Sequence, residues 1–278
     1  MNIEYEVSAE RTVSSSRLKD IWNYRELLFL LIKRDFISGY KQTVLGPLWF
    51  IIQPVMTALI FSFVFGKIAN LPTDKLPPFI FYMSGTIVWS FFANCVTKTS
   101  YTFIGNTALF QKVYFPRMVV PISLIVTNLL NFLIQLMILI VFMIIFIVRG
   151  APIDPNYKVI ILPAILLQVV LLGLGLGCII SSLTVRYRDL NMAVGFGMQL
   201  WMYASCVFFP RSMVPPEYQW VLTLNPMVSI IECFRYTLLG VGQVEIYQWL
   251  ISVAITLLIA VTGLWMFRRS EGTFTDSV

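Results

Sequence analysis

The chain contains no histidine, and only 12% of its 278 residues carry a charge. Soluble domains carry about 25% charged residues, so this sequence has too few charges to cover a surface in water. Hydrophobic residues make up 58% of the chain, which also excludes a disordered chain, because disordered segments are poor in apolar residues. We therefore expect a protein that lies largely in lipid. We expect no cleavable signal peptide, because residues 1–20 hold several charges and no apolar core.

Motifs for metal binding, nucleotide binding and catalysis are missing as well. The sequence has no Walker A phosphate loop, no Gly-x-Gly-x-x-Gly and no Gly-x-Ser-x-Gly. Gly173, Gly175 and Gly177 lie in an apolar run, where a four-residue glycine spacing indicates close helix packing. We predict no catalytic residue, metal site or cofactor in this chain. Neither a disulfide framework nor a zinc site is expected from the isolated cysteines, which are Cys95, Cys178, Cys206 and Cys233.

Long apolar runs dominate what the sequence does contain. A helix needs about 20 predominantly apolar residues to cross the hydrocarbon core. Six stretches meet or approach that length, so we predict an all-α polytopic membrane protein with a six-span domain over residues 43–267. The predicted spans are 45–65, 79–96, 119–148, 159–184, 191–209 and 247–267.

The lysines and arginines predict the orientation of these spans. Cytoplasmic segments carry an excess of Lys and Arg, and an even number of spans places both termini on one side. One side holds Arg11, Arg17, Lys19, Arg25, Lys33, Arg34, Lys41, Lys98, Lys112, Arg117, Arg186, Arg188, Arg268 and Arg269. The opposite side holds only Lys67, Lys75, Arg149, Lys158, Arg211 and Arg235. We therefore predict cytoplasmic tails at residues 1–19 and 268–278.

Residues 20–42 form an amphipathic segment whose apolar run is too short to span the membrane. Lys33 and Arg34 fall near its polar face, and Leu28 and Leu31 lie on the other. We predict a helix along the cytoplasmic interface, with Trp22 at headgroup level. It serves either as a plain membrane anchor or, as we favour, as a docking surface, because it leads without a linker into the first span.

A second segment that does not span, residues 210–245, lies between the last two spans. Residues 227–239 are apolar but too few to cross a bilayer, so we predict short re-entrant helices. Non-helical backbone at membrane depth must be buried in protein or line a wet cavity. Glu232 and Arg235 can pair on one helical face. Together with Asn225 and Pro226 they are candidates for an outer gate, and a local ion pair without functional weight is the alternative.

The predicted spans contain no carboxylate and no histidine. Ion-coupled transporters place such groups in their paths, so we expect any transport to draw its energy from another polypeptide. Aromatic side chains are abundant in the spans and suit a sugar path, because their faces pack on the apolar faces of pyranose rings. Interface belts and ordinary packing are the alternatives. The path candidates are Trp49, Phe50, Gln53, Phe61, Tyr82, Trp89, Trp201 and Tyr203.

An ordered set of short motifs runs from about residue 30 to residue 240. Together these motifs resemble the permease subunits of bacterial polysaccharide ABC exporters, which export O-antigen, capsule and teichoic acid. The matching residues are Lys33-Arg34-Asp35, Tyr40-Lys41, Val44-Leu45-Gly46-Pro47-Leu48-Trp49, Gln53-Pro54, Phe115-Pro116-Arg117, Pro121, Val185-Arg186-Tyr187-Arg188-Asp189-Leu190, Gln199, Phe209-Pro210, Val214-Pro215, Leu224-Asn225-Pro226-Met227 and Phe234-Arg235.

The resemblance implies a homodimer of six-span permeases, two copies of an ABC ATPase that binds ATP and Mg²⁺, and a continuous channel at the dimer interface. It also implies export of an undecaprenyl-pyrophosphate-linked glycan such as O-antigen across the bacterial cytoplasmic membrane. A coupling helix is implied within residues 98–117, where Phe103 and Phe110 are candidate knobs for the ATPase. The other candidate coupling residues are Asn106, Lys112, Arg186, Arg188 and Asp189.

Two rival functions remain open from the residues. The first is a drug or small-lipid ABC exporter of the same fold, which the aromatic side chains disfavour. The second is a membrane-embedded enzyme of glycan assembly. Such an enzyme needs acidic or histidine groups at the membrane interface, and only Asp189 beside Arg186 and Arg188 approaches that pattern.

Overall fold

The computed structural model describes residues 22–39, 41, 43–112, 115–155, 157–185, 187, 189–242 and 244–276, and the described chain is helical without strands. We number the α-helices in chain order. They are α1 (Arg25–Ser38), α2 (Trp49–Phe61), α3 (Pro78–Ser100), α4 (Thr102–Gly105), α5 (Thr107–Lys112), α6 (Val119–Val148), α7 (Leu162–Thr184), α8 (Leu190–Tyr203), α9 (Gln219–Leu224), α10 (Pro226–Leu239) and α11 (Ile246–Asp276).

Five helical segments of the described chain are long and apolar enough to cross a membrane, and each contains or closely matches a predicted span. Short 3₁₀ or π-helical turns extend some of these segments beyond the α-helices. The segments are Gly46–Ile68, Pro78–Ser100, Val119–Val148, Tyr157–Thr184 and Ile246–Ser270.

The predicted span at residues 191–209 needs a correction. Its helix, α8, has 14 residues and ends at Tyr203, a length of about 21 Å at 1.5 Å per residue. Beyond it the chain turns, and Cys206 adopts a left-handed φ of 54°, which a non-glycine residue takes at a cost. Hydropathy alone did not reveal this break, because the residues after Tyr203 are still mostly apolar. The six-span count therefore stays a prediction at this stretch.

Helix α3 lies at the centre of the bundle, packed by α2, α6, α7 and α10. Small residues on α7 let it approach closely: a Cβ added to Gly173 would lie 2.7 Å from the Cβ of Cys95, and one added to Gly177 would lie 2.5 Å from the Cβ of Thr99. Real side chains do not approach so closely, so both positions require glycine. The predicted packing role of these glycines is confirmed.

The predicted interface segment contains α1, which is shorter than the predicted range of 20–42. Leu31 is buried on the start of α6, against Val119 and Val120. Trp22 and Phe29 remain exposed on the outer face. A helix with one face on protein and an apolar outer face suits the membrane surface. Residues 20, 21, 40 and 42 lie outside the described part of the chain.

The two ends of the bundle are distinguished by the segments they collect. At the basic end, α1 packs on Phe110 and Phe115, and Phe103 packs on Phe267 of α11. At the loop end, residues 69–77, 150–155 and 204–242 are joined by hydrogen bonds. Ser212 donates to Asp74 at 2.9 Å, and the backbone N–H of Asp154 donates to the carbonyl of Leu239 at 3.3 Å.

Helix α10 confirms that a short buried helix lies between α8 and α11. It begins at Pro226, where proline needs no N–H partner, and it ends at Gly240 with a φ of 73°. A Cβ on Gly240 would collide with the carbonyl oxygen of Asp154. Nearly all of its side chains are buried within the chain. The helix is therefore enclosed by protein, as the sequence analysis requires for a helix too short to span.

Candidate functional site

The candidate site is built around the non-helical segment at residues 204–210, which follows α8. Outside a helix, its carbonyl groups lack the usual backbone partners. Such backbone is tolerated at membrane depth only where protein or water satisfies it. In the described chain, two side chains that the sequence analysis assigned to an outer gate, Asn225 and Arg235, bond directly to these carbonyls.

Arg235 is 2% exposed, and its guanidinium lies between α3 and the non-helical segment. Nη1 donates to the carbonyl of Cys206 at 2.9 Å, and Nη2 donates to the carbonyl of Val207 at 3.0 Å. Its bond to Glu232 is longer, at 3.4 Å. The predicted pair therefore exists, but the shorter contacts of Arg235 are with backbone carbonyls. The planar fork of arginine suits this task, because it can reach two acceptors at once.

Helix α3 provides the space and the remaining partners for this guanidinium. The Cζ atom of Arg235 lies 3.7 Å from the ring centroid of Phe81, a cation–π contact. Its Nε donates to Ser84 at 3.4 Å. A Cβ on Gly85 would lie 2.6 Å from Nη2, so glycine leaves room where any other residue would displace the guanidinium. Sequence reasoning missed Ser84 and Gly85, since nothing local in α3 signals a buried arginine on α10.

Asn225 uses all four hydrogen-bonding positions of its side chain. Its Nδ2 donates to the carbonyl of Ala204 at 2.9 Å and to Ser205 Oγ at 3.1 Å. Its Oδ1 accepts from the backbone N–H of Met227 and from the indole of Trp201, both at 3.1 Å. The first of these caps the start of α10. One side chain thus joins the end of α8 to the start of α10.

Glu232 is buried beside a small cavity of about 10 Å³, which Arg211, Ser229 and Gln248 also line. The hydroxyl of Ser229 has no hydrogen-bond partner among the residues that the structure describes. Arg211 donates to Gln248 and, at 3.2 Å, to Thr223. The cavity is about the size of a single water molecule. Polar groups from α10 and α11 therefore meet behind the non-helical segment rather than on an open surface.

Phe208, within the non-helical segment, is the centre of an aromatic cluster. Its ring centroid lies 4.9 Å from that of Phe61, 4.8 Å from Phe65 and 5.2 Å from Tyr203. Phe61 and Tyr203 were predicted path residues, and Phe208 is what brings them together. Sequence reasoning missed Phe208 because it assigned residues 191–209 to one continuous span.

The other predicted path residues are divided between surface and core. Trp49 and Gln53 are exposed on α2, and Phe50 is stacked on Phe36 at 5.8 Å. Tyr82 and Trp89, both on α3, are buried against neighbouring helices, with exposures of 0% and 5%. Both rings therefore pack inside the described chain, and a lining role for them stays a prediction.

Trp201 lies at the boundary between the surface and the core. Its ring contacts Trp89 at 6.3 Å and Phe92 at 5.3 Å, and its indole N–H bonds Asn225. Among the predicted path residues, Trp49, Gln53 and Tyr203 remain those with exposed side chains.

The predicted coupling helix is two short helices, α4 and α5, interrupted at Asn106. Phe103 is 1% exposed and stacks on Phe267 of α11, with ring centroids 4.7 Å apart. Phe110 lies 6.2 Å from Phe103 and 5.6 Å from Phe115. The two rings lie near each other, and Phe103 packs within the described chain. Its role as a knob for the ATPase stays a prediction.

The remaining coupling candidates are only partly described. Asp189 precedes α8 and accepts a backbone bond from Met192 at 3.0 Å. Arg186, Arg188 and the side chain of Lys112 lie outside the described part of the chain. Their proposed roles therefore stay predictions.

A bundle with five helical segments long and apolar enough to span a membrane, and a short enclosed helix before the last of them, is typical of a polytopic membrane protein. A family model for the ABC-2 type transporter matches residues 26–239, and the chain belongs to that family. Membership implies a membrane location and an ABC ATPase partner.

Three relatives align along nearly their whole length. The O-antigen export system permease protein RfbA of Klebsiella pneumoniae is 28% identical over 254 residues, covering 90% of this chain and 94% of the relative. The protein of the same name in Myxococcus xanthus is 28% identical over 267 residues, covering 94% and 98%. The polysialic acid transport protein KpsM of Escherichia coli is 26% identical over 256 residues, covering 91% and 95%.

Proposed function

We propose that this chain is the permease subunit of a bacterial ABC exporter that moves a lipid-linked polysaccharide, of the O-antigen type, across the cytoplasmic membrane. The observation that carries the proposal is the uncovered surface of α2 and α8, which presents Trp49, Gln53 and Tyr203 on mostly apolar helices. Similarity to permeases named for O-antigen and polysialic acid supports the same class of substrate.

A second copy of the chain is the proposed cover for this surface. Met192, Phe196, Leu200 and Tyr203 form an exposed stripe along α8, at the spacing of one helical face. Nothing lies within 4 Å of where a side chain on Gly195 would start. Apolar helices with small residues associate in membranes through close backbone packing. A homodimer would place two such faces opposite each other, with the glycan path between them.

The path would carry sugar through contacts that do not fix one register. Half-exposed aromatic rings offer flat faces to the apolar side of each pyranose, while Gln53 offers a hydrogen-bonding amide. The aromatic cluster at Phe208 lies at the loop end of this surface, where Arg235 and Asn225 hold its backbone. We assign this end to the outer side, because the excess of lysines and arginines lies at the other end.

ATP hydrolysis would take place in the partner subunit, which carries the bound ATP and Mg²⁺. Movement would reach the permease through residues 98–117 and through the turn holding Arg186, Arg188 and Asp189, all on the proposed cytoplasmic side. The interface helix α1, which packs on the start of α6, would move with them. Within this chain, the proposed work is to bind and guide the glycan and to convert closure of the ATPase into helix movement.

The proposal is tested by reconstituting the chain with its ABC ATPase in lipid vesicles. An undecaprenyl-pyrophosphate-linked glycan is supplied on the ATPase side, and its arrival on the other side is measured with and without ATP. We expect ATP-dependent transfer that needs both subunits. A matched preparation with a catalytically inactive ATPase should transfer none.

Two outcomes would contradict the proposal. Transfer of a dye or a short lipid, without any transfer of glycan, would show an exporter of another substrate class. ATP hydrolysis by the purified chain alone, above that of a mock preparation, would show that the chain has a catalytic site of its own.

A further inference from the structure

The rings of Phe103 and Phe267 form a stacked contact between the coupling segment and the last span, with centroids 4.7 Å apart. Phe103 belongs to α4 and Phe267 to α11, and the planes of the two rings are 24° apart. Their exposures are 1% and 0%. Met118, at the start of α6, and Cys178, on α7, complete the same buried cluster. Four segments therefore meet around one stacked pair at the basic end of the bundle.

Helix α4 itself buries few side chains. Helix α4 has only four residues, and its buried side chains are Thr102 and Phe103. The hydroxyl of Thr102 bonds the carbonyl of Thr99, within the same stretch of chain. Phe103 is thus the one large buried side chain of α4, and the position of α4 depends on the ring beneath it.

The last span is fixed to α7 one helical turn before Phe267. At that point the backbones of Gly263 and Gly175 touch, and a side chain on Gly263 would overlap the carbonyl of Gly175. Close-packed helices transmit displacement because they cannot compress. A force on Phe103 therefore reaches α11 at Phe267, one turn after the contact between Gly263 and Gly175. Because that contact is rigid, the displacement is not lost in a flexible segment.

We infer that Phe267 is a positioning residue that links the coupling segment to the last span during transport. Phe267 itself touches neither ATPase nor glycan in this scheme. It holds α4 in place, and it carries the displacement of α4 into α11. The inference rests on the proposed function of residues 98–117 and adds α11 to the route of transmission.

The test compares Phe267→Ala with a matched variant, Phe132→Ala. Phe132 is also 1% exposed, and its ring lies 4.9 Å from that of Phe91, in the contact between α3 and α6. Both substitutions remove one ring of a buried aromatic pair, so both should lower the thermal unfolding midpoint of the purified complex. The decisive quantity is the number of ATP molecules hydrolysed per glycan transferred, measured on the folded, ATPase-bound fraction.

We expect Phe267→Ala to retain the bound ATPase and to raise this ratio about two- to tenfold, the range that an aromatic pair energy supports. Phe132→Ala should leave the ratio unchanged. Phe267→Leu, which keeps an apolar side chain without the stack, should give an intermediate ratio. Equal ratios for Phe267→Ala and Phe132→Ala would overturn the inference, because the ring would then serve stability alone.

A third variant separates this inference from the proposed function. Tyr101 lies on the same segment and is 47% exposed, so Tyr101→Asp alters the surface offered to a partner and leaves the stacked pair in place. If it reduces ATPase binding while Phe267→Ala leaves the ratio normal, the segment couples but α11 takes no part. If neither variant changes binding or the ratio, the coupling role of residues 98–117 fails as well.

Discussion

Gly175 and Gly263 bring the backbones of α7 and α11 into direct contact. A Cβ on Gly175 would lie 2.7 Å from the Cα of Ala260, and one on Gly263 would overlap the carbonyl of Gly175. Gly173 and Gly177, on either side, are packed against α3. The three alternate glycines of α7 therefore allow close packing against two different helices. Gly173 and Gly177 face α3, Gly175 faces α11, and α7 lies between α3 and α11.

The first prediction concerns this crossing. Gly263→Leu should force α11 away from α7, because the obstructing atoms belong to backbone and cannot rotate aside. Overpacking a buried site costs about 1–3 kcal/mol, and a backbone clash should reach the upper part of that range. The check is the thermal unfolding midpoint of the detergent-solubilised protein. Val261→Leu, on the same helix at an exposed position, is the control and should leave the midpoint within error.

The second prediction separates the two roles of Arg235. Arg235→Met removes the donors to Cys206 and Val207 and leaves Glu232 buried without its partner. Breaking a buried pair from one side costs about 3–5 kcal/mol. Arg235→Lys keeps the charge but lacks the planar fork, so it should recover only part of the loss. Thermal unfolding and glycan export are the measurements.

Glu232→Gln provides the control for that prediction. If Arg235 mainly satisfies the carbonyls of residues 206 and 207, Glu232→Gln alone should be mild, and adding it to Arg235→Met should restore little stability. Full restoration in the double variant would show that the ion pair matters most and that the carbonyl bonds are secondary.

The third prediction uses the four bonds of Asn225. Asn225→Asp keeps the oxygen that caps α10 and accepts from Trp201, but it loses both donors to Ala204 and Ser205. We expect α10 to remain folded while residues 204–210 exchange their amide hydrogens faster. Hydrogen exchange followed by peptide mass analysis reads the two segments separately.

Asn225→Ala is the comparison for this variant, because it also removes the cap, at a cost of about 0.5–2 kcal/mol. It should therefore raise exchange in both segments. Unchanged exchange of residues 204–210 in Asn225→Asp would show that the side-chain bonds do not hold that segment.

Much of the fold could be predicted from hydropathy, because a membrane span can be recognised by its length and its lack of charged residues. Five spans, the short helix α10 and the glycine packing on α7 were all predicted correctly. The end of α8 was not, since residues 204–209 are as apolar as a span. The carbonyls beyond Tyr203 accept hydrogen bonds from Asn225 and Arg235, which lie more than 15 residues away in sequence. Local composition does not indicate these bonds.

The candidate site was predictable only in part, for a related reason. Sequence patterns show which side chains are polar or aromatic, but they do not show which way a helix faces. Glu232 and Arg235 were correctly paired, because a three-residue spacing fixes their neighbourhood. Tyr82 and Trp89 were predicted path residues, and both are buried in the described chain on the central helix α3, so their path role stays a prediction. Phe103 is likewise buried, against Phe267 of α11, and its coupling role stays a prediction.

The last prediction tests the proposed homodimer through α8. Phe196 is 66% exposed in the middle of the stripe that also includes Met192 and Leu200. Phe196→Cys should form a disulfide with the same residue of a second copy, or cross-link to it through a short bifunctional reagent, if the two stripes face each other across the path. All four natural cysteines are buried, so background cross-linking should be low. Leu258→Cys, equally exposed on α11, should remain monomeric on a denaturing gel. Equal cross-linking at both positions would indicate random collision in the membrane, and its absence at residue 196 with either reagent would place the dimer contact on another face.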